Sequence, residues 1–235
     1  VYANGLARTY AEDASGRMTA MAVRKQNDAL ISRSSYAYNA DDEITRINDD
    51  ATPSLNQAME YDALSRLTKL TRYGVVNERS YDSGGNHTRL KAGSQITQYT
   101  IDPASNRVAS YTGQDGLRKY EYDALGNRIS EKVGTQTTTY TYDVFNRMVQ
   151  SSAGGLTTNY VVNAQGQRMG KYSSASRKRF IYAGQNQLLT EIGQTFATNY
   201  LWFGGELVGI ARSGKIYPVH TDHLGRPEYA TDSTQ

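Results

Sequence analysis

The sequence predicts an all-β fold made of about eleven tandem β-hairpins of roughly twenty residues, and three observations carry that prediction. Tyr120-Glu121-Tyr122-Asp123-Ala124-Leu125-Gly126-Asn127-Arg128 returns twenty residues later as Tyr140-Thr141-Tyr142-Asp143-Val144-Phe145-Asn146-Arg147. It returns again as Tyr160-Val161-Val162-Asn163-Ala164-Gln165-Gly166-Gln167-Arg168. The aromatic residues stand two apart, which puts them on one face of a strand; helical spacing would need partners at three and four. An Asp or Asn followed three residues later by Gly, Asn or Ser marks a type I turn whose last residue turns left-handed. Each unit is therefore strand, tight turn, strand.

Taking the Asp position as origin, the units begin their turns at Asp13, Asn39, Asp62, Asp82, Asp102, Asp123, Asp143, Asn163, Ala183, Phe203 and Asp222. Residues 1–57 are the least regular. Their surplus falls in the polar stretches Arg24–Asp28 and Asn48–Pro53, which read as longer loops between hairpins. From Met59 to Tyr200 the spacing is nearly constant. The left-handed position is read at Gly16, Asp42, Ser65, Gly85, Ser105, Gly126, Asn146, Gly166, Asn186 and Gly225. After the turn a hydrophobic residue resumes at the fifth position (Met18, Ile44, Leu67, Met148) or at the sixth (Val108, Ile129, Met169). One extra residue would flip the returning strand, so a bulge is expected to absorb it in the latter group. With no linker or composition break, 1–235 reads as a single array.

Composition narrows the function. Tyr (19) far outnumbers Phe (4), which suits a broad, half-wet sheet face rather than a dry sandwich core. The net charge of +3 is spread over scattered Arg, many of them just after the turn, and gives no basis for nucleic-acid binding. The absence of cysteine excludes disulfides and thiolate metal sites. No apolar run is long enough to span a membrane, and no signal peptide is present. The chain begins without an initiator Met and ends in polar residues just past a turn, so it reads as a piece of something longer.

In a repeat array a functional residue must stand out from the repeat. The turn residues Asp62, Asp82, Asp102, Asp123, Gly126, Asp143, Asn146, Asn163, Gly166, Asp222 and Gly225 are read as structural. Tyr99, Tyr120, Tyr122, Tyr140, Tyr142, Tyr160, Tyr200 and Trp202 are the candidate packing or binding aromatics, expected to stack on the next repeat. Neither catalytic nor metal-ligating residues are assigned, and no cofactor. His220-Thr221-Asp222-His223 is the one cluster with acid–base or metal chemistry, but Asp222 and Gly225 fall on ordinary turn positions, and a zinc site needs three or four convergent ligands. Gly84-Gly85-Asn86 lacks the Lys-Ser/Thr and the helix of a phosphate loop and reads as a hairpin turn. Asp41, Asp42, Glu43, Asp49 and Asp50 lack the alternate spacing of a calcium loop. Arg177-Lys178-Arg179 reads as a solvated return loop, and no nucleophile elbow is present.

The motif Tyr-x-Tyr-Asp-x-x-Gly-Asn-Arg at this spacing resembles the bacterial Rhs/YD-repeat proteins, which include toxin-complex C components and have animal relatives in the teneurins. His220-Thr221-Asp222-His223-Leu224-Gly225-Arg226-Pro227 is similar to the opening of the Rhs core-associated region, so 200–235 reads as its start. The resemblance implies a long antiparallel sheet, curved or spiralling into a segment of a hollow shell around a C-terminal toxin or cargo of the same polypeptide. It further implies neighbouring repeats and secretion machinery as partners, and a secreted or cell-surface-delivered bacterial protein used against a competing cell or host. The family's self-cleaving aspartate site and variable toxin are absent from these residues, so nothing catalytic carries over. The expected function is a non-enzymatic shell segment. The alternative is an adhesion or carbohydrate-binding module using the Tyr rows, and a hydrolase centred on His220 and His223 is a third reading.

Overall fold

A computed structural model describes Tyr2 and residues 4–232. Among these the chain forms twenty-two β-strands and two short 3-10 turns. It divides into two compact units, Val1–Leu117 and Arg118–Gln235. The first holds β1 (Ala7–Glu12), β2 (Met18–Arg24), β3 (Leu30–Tyr38), β4 (Ile44–Asp49), β5 (Gln57–Tyr61), β6 (Leu67–Arg72), β7 (Val75–Tyr81), β8 (His87–Ala92), β9 (Gln95–Asp102) and β10 (Arg107–Gly113). β11 (Gly116–Tyr122) spans the boundary. The second continues with β12 (Arg128–Val133), β13 (Gln136–Tyr142), β14 (Met148–Ala153), β15 (Leu156–Val162), β16 (Arg168–Tyr172), β17 (Arg177–Tyr182), β18 (Leu188–Ile192), β19 (Ala197–Phe203), β20 (Glu206–Arg212), β21 (Lys215–Thr221) and β22 (Pro227–Ala230). Within each unit consecutive strands pair antiparallel, so the fold is a meander of hairpins.

The predicted turns are present and their geometry explains the Asp. In the hairpin of β5 and β6 the Asp62 amide donates to the Arg66 carbonyl at 3.0 Å, and the Ser65 amide to the Asp62 carbonyl at 3.0 Å. This is a three-residue loop closed by a left-handed residue. Gly126 and Gly166 occupy that position at φ +93° and +77°, and Asn146 at +59°. The turn at Asp102 departs from the expectation. Its left-handed residue is Asn106 rather than Ser105, because the amide that returns to the Asp102 carbonyl comes from Asn106, one residue later. That extra residue accounts for the spacing of twenty-one between Asp102 and Asp123. At Phe203 the reversal is made instead by Gly204 and Gly205, both left-handed.

The bulge is more general than the hydrophobic spacing implied. Every hairpin carries one at the same place, including those where the apolar residue stands at the fifth position. Glu60 pairs with Lys69 and Tyr61 with Leu67, skipping Thr68; Glu121 pairs with Ser130 and Tyr122 with Arg128, skipping Ile129. The loop geometry, not the identity of the sixth residue, sets the register. The basic run Arg177–Arg179 lies in β17 rather than in a return loop: the alternation of Phe180 and Tyr182 with Lys178 extends the strand back through it.

Burial is thin, as the Tyr-rich composition implies. The buried apolar residues of the first unit are Leu6, Ala20, Met21, Ala22, Val23 and Tyr36; those of the second are Phe180, Leu207 and Val219. Elsewhere each hairpin is half-buried on its aromatic face and held by its neighbours, as expected of a repeat whose stability is a sum of nearest-neighbour terms.

Candidate functional site

The elements that carry the repeat's chemistry meet where successive hairpins join. Pairing between one hairpin and the next starts seven residues after the Asp and four before the following one, as in Lys69↔Glu78 and Arg89↔Gln98 in the first unit, and Gln150↔Asn159 and Thr190↔Asn199 in the second. The hairpins therefore part at their turn ends. Two sets of side chains bridge the opening.

The first is the aromatic residue just before the Asp. The Tyr38 hydroxyl donates to the Met18 carbonyl at 2.7 Å, Tyr61 to Ile44 at 2.8 Å and Tyr81 to Leu67 at 2.7 Å. In the second unit Tyr142 donates to Arg128 at 3.0 Å, Tyr182 to Arg168 at 3.3 Å, and the Trp202 indole N–H to Leu188 at 2.8 Å. The acceptor in each case is the fifth residue after the preceding Asp. One aromatic polar atom thus satisfies a backbone carbonyl where the ladder has stopped. Burial raises the pKa of the Tyr38, Tyr61, Tyr140, Tyr142 and Tyr200 phenols, so these hydroxyls stay protonated donors.

The second set is the residue four after the Asp. The Asp62 carboxylate accepts from the Leu64 and Arg66 amides at 2.9 and 3.0 Å and from Arg66 Nε at 2.8 Å. Arg66 then reaches the next turn, donating to the Asp82 carbonyl at 3.1 Å. Asn86 Nδ2 reaches Asn106 Oδ1 at 2.7 Å, Asn127 Nδ2 reaches Asn146 Oδ1 at 3.1 Å, Arg147 reaches the Asn163 carbonyl at 2.6 Å and Gln167 Nε2 reaches Asn186 Oδ1 at 2.8 Å. These bonds hold the turn carboxylates below their usual pKa: hydrogen bonds from the Arg17 backbone and side chain do so at Asp13, the Arg147 side chain at Asp143 and the Asn127 side chain at Asp123. The sequence showed the Arg after the turn as scattered charge; that Asn and Gln do the same bridging was not visible, because the position varies, being Glu43 after Asn39 and Leu207 after Phe203.

Tyr99 and Tyr111, whose ring centroids are 5.6 Å apart with the planes tilted by 47°, meet across the two strands of one hairpin rather than between successive repeats. Elsewhere a guanidinium lies over the rings, once between two of them. Arg128 sits over Tyr120 at 5.2 Å and over Tyr140 at 4.8 Å, Arg66 over Tyr81 at 4.7 Å and Arg17 over Tyr38 at 4.9 Å. The repeated Arg competes for the ring faces through cation–π contact. Tyr140 also donates to Glu131, which pairs with Arg118, and Tyr160 bonds Ser151 Oγ at 3.0 Å. Tyr122 and Tyr200 are half-buried on the same face.

The closing motif divides in two. Asp222 and Gly225 form the ordinary turn, with Asp222 accepting from the Leu224 and Arg226 amides and from Arg226 Nε at 2.8 Å. His220 is 1% exposed, stacks on Tyr229 at 4.6 Å and bonds Thr231 Oγ1 through Nε2 at 3.0 Å. Thr221 donates to Glu206. Burial lowers the pKa of His223, partly offset by Asp222. Among the described residues no group of three or more His, Asp or Glu side chains is placed to hold a metal ion. Among the described residues no helix is long and apolar enough to cross a membrane.

Comparison with known proteins places this geometry. A family model described as Teneurin YD-shell matches residues 5–235. The structure is similar to the Tc holotoxin pore of Photorhabdus luminescens, with a TM-score of 0.58 and 14% identity over 98% of this chain and 14% of that one. A complex of TcdB2 with TccC3, lacking its hypervariable C-terminal region, aligns at 13% identity and a TM-score of 0.49, covering 95% of this chain and 19% of that one. The chain thus spans under one fifth of the length of either. No curated protein matches the sequence.

Proposed function

The chain belongs to the Teneurin YD-shell family, and from that premise we propose that it is a non-enzymatic wall segment of a polymorphic-toxin shell. In this reading 1–235 acts as one array, 200–235 opening the core-associated region. Neighbouring repeats of the same polypeptide continue the wall, which encloses a C-terminal toxin or cargo and takes part in its secretion and delivery by a bacterium to a competing cell or host. The observation that carries the proposal is the turn-to-turn bonding: in both units hairpins end in side chains that reach the next turn, which suits a continuous wall. The Tyr rows support it too. The Tyr81 and Tyr142 hydroxyls are committed to backbone carbonyls, the Tyr140 hydroxyl to Glu131 and the Tyr140 face to Arg128, whereas a glycan-binding module must present free rings in an open groove.

The test is limited proteolysis of the whole polypeptide that carries this segment. Its C-terminal portion should resist added protease until the wall is denatured, and the isolated 235-residue segment should give no such protection when mixed with the same cargo. Equal cleavage of the cargo in both preparations would overturn the encapsulation reading. As a check on catalysis, His220→Ala and His223→Ala should leave protection and release unchanged.

A further inference from the structure

One place in the first unit breaks the repeat in three ways at once. The third residue before the Asp is aromatic in most hairpins, but at Asp82 it is Arg79. The fifth residue after that Asp is His87. In the following hairpin the bridging position just before Asp102, which Tyr fills at Tyr61 and Tyr81, is Ile101. Isoleucine is shorter than tyrosine and has no hydroxyl, so the opening between the turn ends of β8 and β9 is left unfilled. A cavity of about 480 Å³ lies there, lined by Arg79, Asn86, His87, Leu90, Tyr99 and Ile101 among others. That volume falls within the range of small-ligand sites.

Arg79 gives the cavity its chemistry. Its Nη1 is buried and has no hydrogen-bond partner among the described residues. Its cross-strand neighbour on β8 is Leu90, which itself faces Thr97 on β9, so no carboxylate stands opposite it in either of these two strands. A buried guanidinium N–H without an acceptor is costly and calls for one. The His87 ring, 4.6 Å from Tyr81 and 6.5 Å from Tyr99, is wedged between two phenols and lines the same space. Asn86 contributes to the wall but is committed to Asp82 and Asn106.

We propose that this cavity is an oxyanion-binding site, in which a carboxylate, phosphate or sulfate group accepts hydrogen bonds from Arg79 while the His87 and Tyr99 rings flank it. A guanidinium matches such groups through its planar fork. The site stands on the residues of one unit and does not depend on whether the wall encloses a cargo.

The experiment is a nuclear magnetic resonance titration of the whole chain, following the Arg79 guanidinium and His87 imidazole signals. Sodium acetate, phosphate and sulfate are added separately, with sodium chloride holding ionic strength constant. Saturable shifts are expected with at least one of the three, the preferred ion distinguishing a planar carboxylate from a tetrahedral group. Arg79→Ala should weaken binding at least tenfold. Ile101→Tyr restores the usual filling residue without touching Arg79 and should weaken it as much. Arg89→Ala removes a cation from the opposite side of β8 and should leave binding unchanged. Circular dichroism melts verify that each variant folds; should Arg79→Ala fail to do so, the Ile101→Tyr result decides alone. Shifts that do not saturate, that persist in Ile101→Tyr, or that Arg89→Ala reduces equally would mean ordinary surface screening and overturn the proposal.

Discussion

Replacing Tyr81 by Phe removes one atom from the junction between two hairpins and leaves everything else in place. The ring keeps its burial and its contact with Arg66, at 4.7 Å from the centroid. What goes is the hydroxyl donated to the Leu67 carbonyl at 2.7 Å in half-buried surroundings. Such a bond contributes about 1 kcal/mol net, and its acceptor is then left short of a partner. A loss of that size makes local opening about fivefold more frequent. Hydrogen exchange of the amides of β6 and β7 should show it directly, with urea denaturation followed by circular dichroism as the global measure. Tyr182→Phe supplies the internal scale, because its bond to the Arg168 carbonyl is longer, 3.3 Å, and exposed. It should cost roughly 0.5 kcal/mol or less, the low end for a hydrogen bond. Tyr61→Phe, with 2.8 Å, should fall with Tyr81. If Tyr182→Phe cost as much as Tyr81→Phe, or if neither changed exchange, the hydroxyls would not be what closes the hairpin junctions.

Gly126→Val and Gly166→Val should each destabilise by about 1 kcal/mol or more through backbone strain at positive φ. A Cβ on Gly166 would meet no atom within 4 Å, so the loss cannot come from a clash, while Gln165→Ala one residue earlier should be nearly silent in the same melts. Asn127→Ala cuts the bonds to Asp123 and Asn146 together and should cost about 1 kcal/mol; a double-mutant cycle with Asn146→Ala should show coupling between the two turns, and strict additivity would refute the relay. The turn carboxylates titrate lower when folded, so they contribute stability above their unfolded pKa of about 3.9 and lose it as pH falls through the folded values. The melting temperature should therefore drop below about pH 4, and Asp143→Asn, which copies the natural Asn163, should reduce that acid slope; a steep fall between pH 5 and 7 would point to other groups.

The hairpin fold was legible in the sequence because a turn is a local object. An Asp, two residues and a left-handed Gly or Asn determine their own hydrogen bonds, and strand alternation places Tyr120 with Tyr122, or Tyr140 with Tyr142, on one face without help from the rest of the chain. The tertiary structure decided what those faces do. That Tyr81 donates to Leu67, fourteen residues back, depends on where the ladder between hairpins stops, and that follows from bulge registers set in two separate turns. The extra residue at Asp102 moved the left-handed position to Asn106 because a five-residue closure competes with a four-residue one, a choice no single residue type announces. Arg79, His87 and Ile101 show the same limit. Each is an unremarkable residue at a variable position. Only the packing of two neighbouring hairpins turns a missing phenol into a cavity and leaves a guanidinium nitrogen buried beside it.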